Sequence, residues 1–150
     1  CVAGGKERFD SVKNGIKALS DEVEYIAIHD GVRALVSKRL IIGTMLEVES
    51  YDAVIPVVDA VDSYRMVEGD DSKVVSRSSL RIVQTPQVFR SDILRRAYEQ
   101  EFDARFTDDA TVVESLGAKI RLFKGERSNI KLTTPEDMVY AEAMLEQAPH

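Results

Sequence analysis

The sequence has 150 residues, 44% of them hydrophobic and 31% charged, with a formal net charge of −6. This composition excludes a disordered chain or a fibrous repeat and suffices for one buried core. No apolar run approaches the roughly 20 residues that span a bilayer. The acidic balance argues against a nucleic-acid binder. The lone cysteine, Cys1, forms no internal disulfide, so we expect a cytoplasmic setting, with neither membrane nor nucleic acid as partner.

In chain order the pattern alternates helix and strand, which points to an α/β sheet. After the turn signal Gly4-Gly5, the spacing of Phe9, Val12, Ile16 and Leu19 predicts a helix from Glu7 to Leu19 with one apolar face. Val23 to Ile28 is predicted as a buried, parallel strand that ends at His29-Asp30-Gly31. Ser37 is placed to cap a helix with Leu40, Ile41, Met45 and Val48 inside. Ala53 to Val58 reads as a strand, and its Pro56 predicts an edge or a bulge. From about Met66 to Gln84, strand-forming pieces flank Gly69-Asp70-Asp71 and Arg77-Ser78-Ser79, the pattern of an antiparallel ribbon. Such a ribbon is marginal alone, which suggests that it packs on a second subunit. Ser91 and Thr107 are predicted caps. The first serves a helix burying Ile93, Leu94, Ala97 and Tyr98. The second serves a helix burying Ala110, Val113 and Leu116 and stopped by Gly117. Ile120 to Phe123 is a short strand. Thr134-Pro135-Glu136-Asp137 opens a last helix, with Met138, Ala141 and Leu145 inside.

Ligands of open α/β sheets bind beyond the carboxyl ends of strands, which directs attention to His29-Asp30-Gly31-Val32-Arg33. Asp30 emerges at a strand end, Gly31 allows close backbone approach, and Arg33 offers a fork suited to phosphate. The alternative is a turn with a capping Asp and a solvated Arg. Lys131, Arg77 and Thr85 are further candidates, each with a plain loop reading beside the functional one. The carboxylate pairs Asp70-Asp71 and Asp108-Asp109 read as turn and first-turn acids rather than metal ligands. His29 and His150 have no metal-ligand spacing, and no nucleophilic triad can be assembled.

Several blocks occur in a distinctive order. They are Gly-Gly-x-x-Arg-x-x-Ser-Val-x-Asn-Gly (4–15), Ile-His-Asp-Gly-Val-Arg (28–33), Gln-Thr-Pro-Gln-x-Phe (84–89), Thr-Asp-Asp-Ala (107–110) and Asn-Ile-Lys-x-Thr-Thr-Pro-Glu-Asp (129–137). Together they resemble the 2-C-methyl-D-erythritol 4-phosphate cytidylyltransferase family over essentially the whole chain. Ribitol 5-phosphate cytidylyltransferase, which shares most of these blocks, is the runner-up. The resemblance implies a Rossmann-like nucleotidyltransferase fold, with a mixed, mostly parallel sheet and an inserted antiparallel arm at about 66–84 that embraces a partner in a homodimer. It implies CTP and a sugar-alcohol phosphate as substrates, with Mg²⁺ bound mainly through the CTP phosphates.

Carried over residue by residue, Gly5 and Ser11 match positions near the cytidine, and Asp30, Gly31, Arg33 and Thr85 match substrate contacts. Arg77 matches an arm arginine that reaches the partner's site, and Lys131 a lysine that positions the attacking phosphate. Ala34 stands where the family usually has Pro. An Asp-Thr/Ser-x-Lys/Arg segment aligns best with Asp62-Ser63-Tyr64-Arg65, which makes Ser63 and Arg65 candidates. The competing register, Asp59-Ala60-Val61-Asp62, lacks both hydroxyl and cation. The family's glycine-rich phosphate loop has no counterpart in these 150 residues, and the chain opens Cys-Val-Ala-Gly-Gly. We therefore expect residues 1–150 to be the later part of a single domain, either inactive alone or a dimerising remnant.

Overall fold

A computed structural model describes residues 1–146. The only histidine of the described residues is His29, since His150 lies outside them. The first helix, α1 (Arg8–Lys17), starts with a capping box in which Asp10 accepts the Glu7 N–H. Phe9 and Ile16 are buried as expected, with Val12 packed beside them. Leu19 falls beyond the helix end and is exposed, because the helix stops before its face can turn inward again.

The remaining elements are β1 (Tyr25–Ile28), α2 (Lys38–Glu47), β2 (Ala53–Asp59), β3 (Tyr64–Glu68), β4 (Asp71–Val75), β5 (Arg81–Val83), β6 (Gln87–Arg90), α3 (Ser91–Ala97), α4 (Asp109–Glu114), β7 (Ile120–Lys124) and α5 (Pro135–Glu146). Five strands form one mixed sheet. β6 pairs with β1 and β2, β5 pairs with β2, and β7 lies on the other side of β2. The α/β expectation holds, but β2·β7 is the single parallel pairing among the described residues, and the other four, β3·β4 included, are antiparallel. β1 runs in the direction of β2 and β7, as predicted, yet its described neighbour is antiparallel β6. The turn 84–86 reverses the chain and inserts β6 between β1 and β2.

Side-chain alternation divides the core. Ala53 and Phe89 face Phe9, Leu94, Tyr98, Val112 and Val113, the layer built by α1, α3 and α4. Val54 and Val88 face Val48, with Met45 of α2 and Phe123 beside them. On α2, Ser37 caps as predicted by accepting the Leu40 N–H (3.0 Å). Leu40, Thr44 and Val48, spaced four apart, form the fully buried line, and Ile41 turns out to solvent. The Thr44 hydroxyl is buried without penalty because it donates to the Leu40 carbonyl (2.9 Å).

Pro56 sits in the central strand and not at an edge. Its carbonyl accepts the Gln84 N–H (2.8 Å), and a strand residue's N–H and C=O point the same way. Its missing N–H therefore faces the break between β5 and β6, where no ladder partner waits.

The arm differs from the predicted 66–84 ribbon. It is the β3–β4 hairpin, with Tyr64 opposite Val75 and Glu68 opposite Asp71, while β5 returns to the main sheet beside β2. Met66, Val67 and Val74 are exposed on it. Two predicted caps move by one residue. Ser91 is the first helical residue of α3, its hydroxyl accepting from Arg95 Nε, and Asp108 rather than Thr107 caps α4 by accepting the Thr111 N–H (2.9 Å). A carboxylate facing the helix dipole outcompetes the hydroxyl before it. Gly117 takes φ 84°, as its stop position requires, whereas Leu116 beside it is exposed. Of the predicted inner face of α5 only Ala141 is buried. Met138 and Leu145 are exposed, because the helix meets the described fold along a narrow stripe. Among the described residues no helix is long and apolar enough to cross a membrane.

Candidate active site

β1, β2 and β7 point their carboxyl ends to one side of the sheet. There a cleft of about 340 Å³ is lined by Arg8, Asp30, Arg33, Thr85, Thr107 and Lys131, among others. A larger hollow, about 520 Å³, opens at the opposite end beside Arg90 and Arg95. Its arginines are already engaged. Arg90 pairs with Asp92, and Arg95 donates to the carbonyls of Ile16, Leu19 and Ser20, closing the C-terminal end of α1. The smaller cleft is therefore the candidate site.

Three distant segments are stitched together there. Asp30 and Arg33 come from the turn after β1, and Lys131 from the loop after β7. The Leu132 N–H donates to the Val32 carbonyl (2.8 Å), tying those two loops. Arg33 donates from Nη1 to the Asn129 carbonyl (2.7 Å) and from Nε to Asp30 Oδ2 (3.3 Å). Lys131 Nζ lies 3.6 Å from the same carboxylate oxygen and is half exposed. One carboxylate thus holds two cations on long contacts.

The segment Gln84-Thr85-Pro86-Gln87 is the bracket. Buried Gln84 donates from Nε2 to the Glu126 carbonyl (2.7 Å) and accepts the Glu126 N–H at Oε1 (3.1 Å), which holds the loop after β7. Buried Gln87 donates to Asp108 Oδ2 (2.8 Å) and accepts the Ala110 N–H (2.9 Å), which holds the start of α4. Between them Thr85 accepts the Asp30 N–H at Oγ1 (3.0 Å), and its carbonyl accepts from Asn129 Nδ2 (2.8 Å). Sequence reasoning singled out Thr85 and missed the glutamines. Two amide side chains flanking an X-Pro turn were the available signal.

Arg8 is the other residue that was missed. Its guanidinium donates to both oxygens of Asp109 (3.0 and 2.6 Å), and the Tyr98 hydroxyl donates to the same carboxylate (2.5 Å). Asp109 is fully buried, so the first-turn reading of this acid gives way to a buried ion pair. The hydrogen bond to Asp109 holds the Arg8 pKa above its ordinary value, and burial pushes that of Tyr98 well up. A solvated Arg and a buried Asp 101 positions away carry no common local signature, which is why the pair was invisible in the sequence.

The other predicted residues lie apart from this cleft. Gly31 is exposed at the turn with open space around it. Gly5 donates its N–H to Ser11 Oγ (2.9 Å), closing the turn that leads into α1. A Cβ at position 5 would fall 2.1 Å from Asp10 Cβ, so only glycine fits. Ser63 and Arg65 travel with the arm, where Arg65 donates to Ser72 Oγ (2.8 Å). Arg77, at the base of the arm, donates to the Val61 carbonyl (3.0 Å). None of these three reaches the cleft of its own chain.

The cleft is lined by Arg8, Arg33 and Lys131 and by Asp30 and Asp108; Arg8 is held by buried Asp109, so the cations that face the cleft are Arg33 and Lys131, sharing one Asp30 oxygen. Such a lining suits phosphate groups. Among the described residues no group of three or more His, Cys, Asp or Glu side chains could hold a metal ion, and Asp30 already faces two cations. The described residues do not by themselves form a metal cage.

The profile of the family described as IspD: 2-C-methyl-D-erythritol 4-phosphate cytidylyltransferase matches residues 1–147. The enzyme of that name from Bacteroides fragilis is 51% identical over 142 residues, covering 95% of this chain and 64% of the relative. The crystal structure of the Thermus thermophilus 2-C-methyl-D-erythritol 4-phosphate cytidylyltransferase superposes with a TM-score of 0.84 at 33% identity, over 97% of this chain and 72% of that one. The 4-diphosphocytidyl-2C-methyl-D-erythritol synthase of Anaerococcus prevotii gives a TM-score of 0.87 at 32% identity, over 96% and 68%. The chain spans 64% of the length of the first three curated relatives it matches. With a matching profile over nearly its whole length and relatives of that name up to 51% identical, this chain belongs to the 2-C-methyl-D-erythritol 4-phosphate cytidylyltransferase family.

Proposed function

We propose that the protein carrying this chain transfers a cytidylyl group from CTP to 2-C-methyl-D-erythritol 4-phosphate, releasing pyrophosphate, in isoprenoid precursor synthesis. The observation that carries the reading is the convergence of Asp30, Arg33, Thr85 and Lys131 on one cleft from three distant segments. The sugar-phosphate oxygen attacks the α-phosphorus of CTP. It is already an anion near neutral pH, so no general base is needed. Catalysis then rests on positioning and on cations at the phosphates. Arg33, anchored by Asn129 and Asp30, orients substrate, and Lys131, loosely held at 3.6 Å, exchanges Asp30 for the attacking phosphate. Mg²⁺ bound through the CTP phosphates would offset part of their mutual repulsion. By resemblance to the family, Gly5 and Ser11, joined by the Gly5 N–H donating to Ser11 Oγ, are assigned to the cytidine.

The arm supports a homodimer. Met66, Val67 and Val74 are exposed on a hairpin that forms its own two-stranded sheet, and Arg77 at its base donates to the Val61 carbonyl and does not line its own cleft. In this reading Arg77, with Ser63 and Arg65, serves the partner's site.

The test is pyrophosphate release from CTP and Mg²⁺ by the full-length protein. Turnover with methylerythritol phosphate is expected. Turnover with ribitol 5-phosphate alone would reassign the substrate, and tight calorimetric binding of CTP with Mg²⁺ by residues 1–150 alone would rule out the dimerising-remnant reading. Mixed dimers of Arg77→Ala and Lys131→Ala subunits should recover part of the activity each lacks. Failure in proven mixed dimers would refute the shared site.

A further inference from the structure

His29 is not used by the reaction above, yet its ring occupies a defined place. It follows β1 directly and bridges the far end of the turn, at Arg33, to Thr85 of the bracket. Nε2 lies 3.2 Å from the Arg33 carbonyl oxygen, and Nδ1 lies 2.9 Å from Thr85 Oγ1. Thr85 Oγ1 in turn accepts the Asp30 N–H (3.0 Å). Hydrogen-bond arithmetic assigns the protons. A carbonyl oxygen only accepts, so Nε2 carries hydrogen and donates to Arg33. In the neutral ring Nδ1 is then an acceptor. The hydroxyl hydrogen of Thr85 therefore points at His29, and one of its lone pairs is taken by Asp30.

We propose that His29 is a positioning residue. Through its Nδ1 it commits the Thr85 hydroxyl hydrogen, so that Thr85 anchors the Asp30 backbone and meets substrate as an acceptor only. Two consequences follow. The relay His29–Thr85–Asp30 holds the Asp30 carboxylate where it faces Arg33 and Lys131. It also makes Thr85 select a substrate hydroxyl, which donates, over a phosphate oxygen, which cannot. This rests on the reading that the cleft takes a sugar-alcohol phosphate, and it deepens that reading by naming the group that Thr85 holds.

Two amide substitutions separate the two ring nitrogens. Asn places an amide oxygen near the Nδ1 position, whereas Gln reaches the Nε2 position. In the full-length enzyme His29→Gln and His29→Ala should lower kcat/KM for the sugar-alcohol phosphate by about tenfold, the worth of one directed hydrogen bond. The loss should fall on the KM for that substrate and leave the KM for CTP in place. His29→Asn should recover most of the loss. Combining His29→Gln with Thr85→Val should be no worse than Thr85→Val alone, because both break the same relay. Equal losses in His29→Asn and His29→Gln, additive losses in the double variant, or a parallel rise in both KM values would overturn the proposal.

A second measurement needs no turnover. Nitrogen-15 NMR of the ring, assigned by loss of the signal in His29→Asn, should show the hydrogen on Nε2 at neutral pH. A hydrogen on Nδ1, alone or with Nε2, would sink the relay even in an active enzyme. An inactive wild-type protein with an Nε2–H ring would instead overturn the substrate reading and leave the relay standing.

Discussion

Two aspartates divide the labour of charge in this fold. Asp109 is fully buried, receives both Arg8 nitrogens at 3.0 and 2.6 Å and the Tyr98 hydroxyl at 2.5 Å, and has no freedom to take another partner. Asp30 lies at the cleft, 19% exposed, with Arg33 at 3.3 Å and Lys131 at 3.6 Å on a single oxygen. Short, saturated contacts around a dry carboxylate join α1 to α3 and α4. Long contacts at a partly exposed one hold two cations on a single oxygen without saturating either. Buried charge demands full pairing, whereas a solvated ion pair is weak enough to be exchanged.

Removing the buried acid should have the largest effect. Asp109→Ala strands the Arg8 guanidinium and the Tyr98 hydroxyl and should destabilise the protein by about 3 kcal/mol, read from the denaturant midpoint. A midpoint near wild type would erase the distinction between the two sites. Lys131→Ala should do the reverse. Activity should fall on the order of 10²–10³-fold while stability changes by less than about 1 kcal/mol. A large drop in stability with it would show that the cleft pair is also structural.

The smallest effect concerns a third aspartate at the surface. Asp103 accepts from the Arg105 side chain (2.6 Å) and its N–H (2.9 Å), which lowers its pKa to about 2. A depressed carboxylate stabilises the fold above its unfolded value, about 4, and that contribution is lost as pH falls through about 2. The stability difference between wild type and Arg105→Ala should therefore be present at neutral pH and vanish between about pH 4 and 2. A difference that persisted at low pH would mean that the pair acts through packing instead.

Much of this arrangement is legible in the sequence. The turn 29–33 at a strand end, the Ser37 cap and the Thr134-Pro135 helix start all depend on residues within a few positions of one another. Such signals survive in a one-dimensional string. The ordered blocks carry the family, and with it Asp30, Arg33, Thr85 and Lys131 as a set, which the fold does bring to one cleft. Gln84, Gln87 and Arg8 escape notice because each acts on a partner 21 to 101 positions away.

By itself, then, the sequence determined the alternation of helices and strands, where most of them begin and end, and which turn stands at the strand-end cleft. These follow from periodicity and capping, which are short-range. Only the tertiary structure decided that β6 reverses between β1 and β2, that Pro56 faces a break in the ladder, and that β5 leaves the arm for the main sheet. It also decided that of two adjacent acids Asp108 caps a helix while Asp109 is sealed against Arg8. Those outcomes turn on which distant segments meet. That choice is made by burial and by satisfying every buried polar group at once, and no local pattern encodes it.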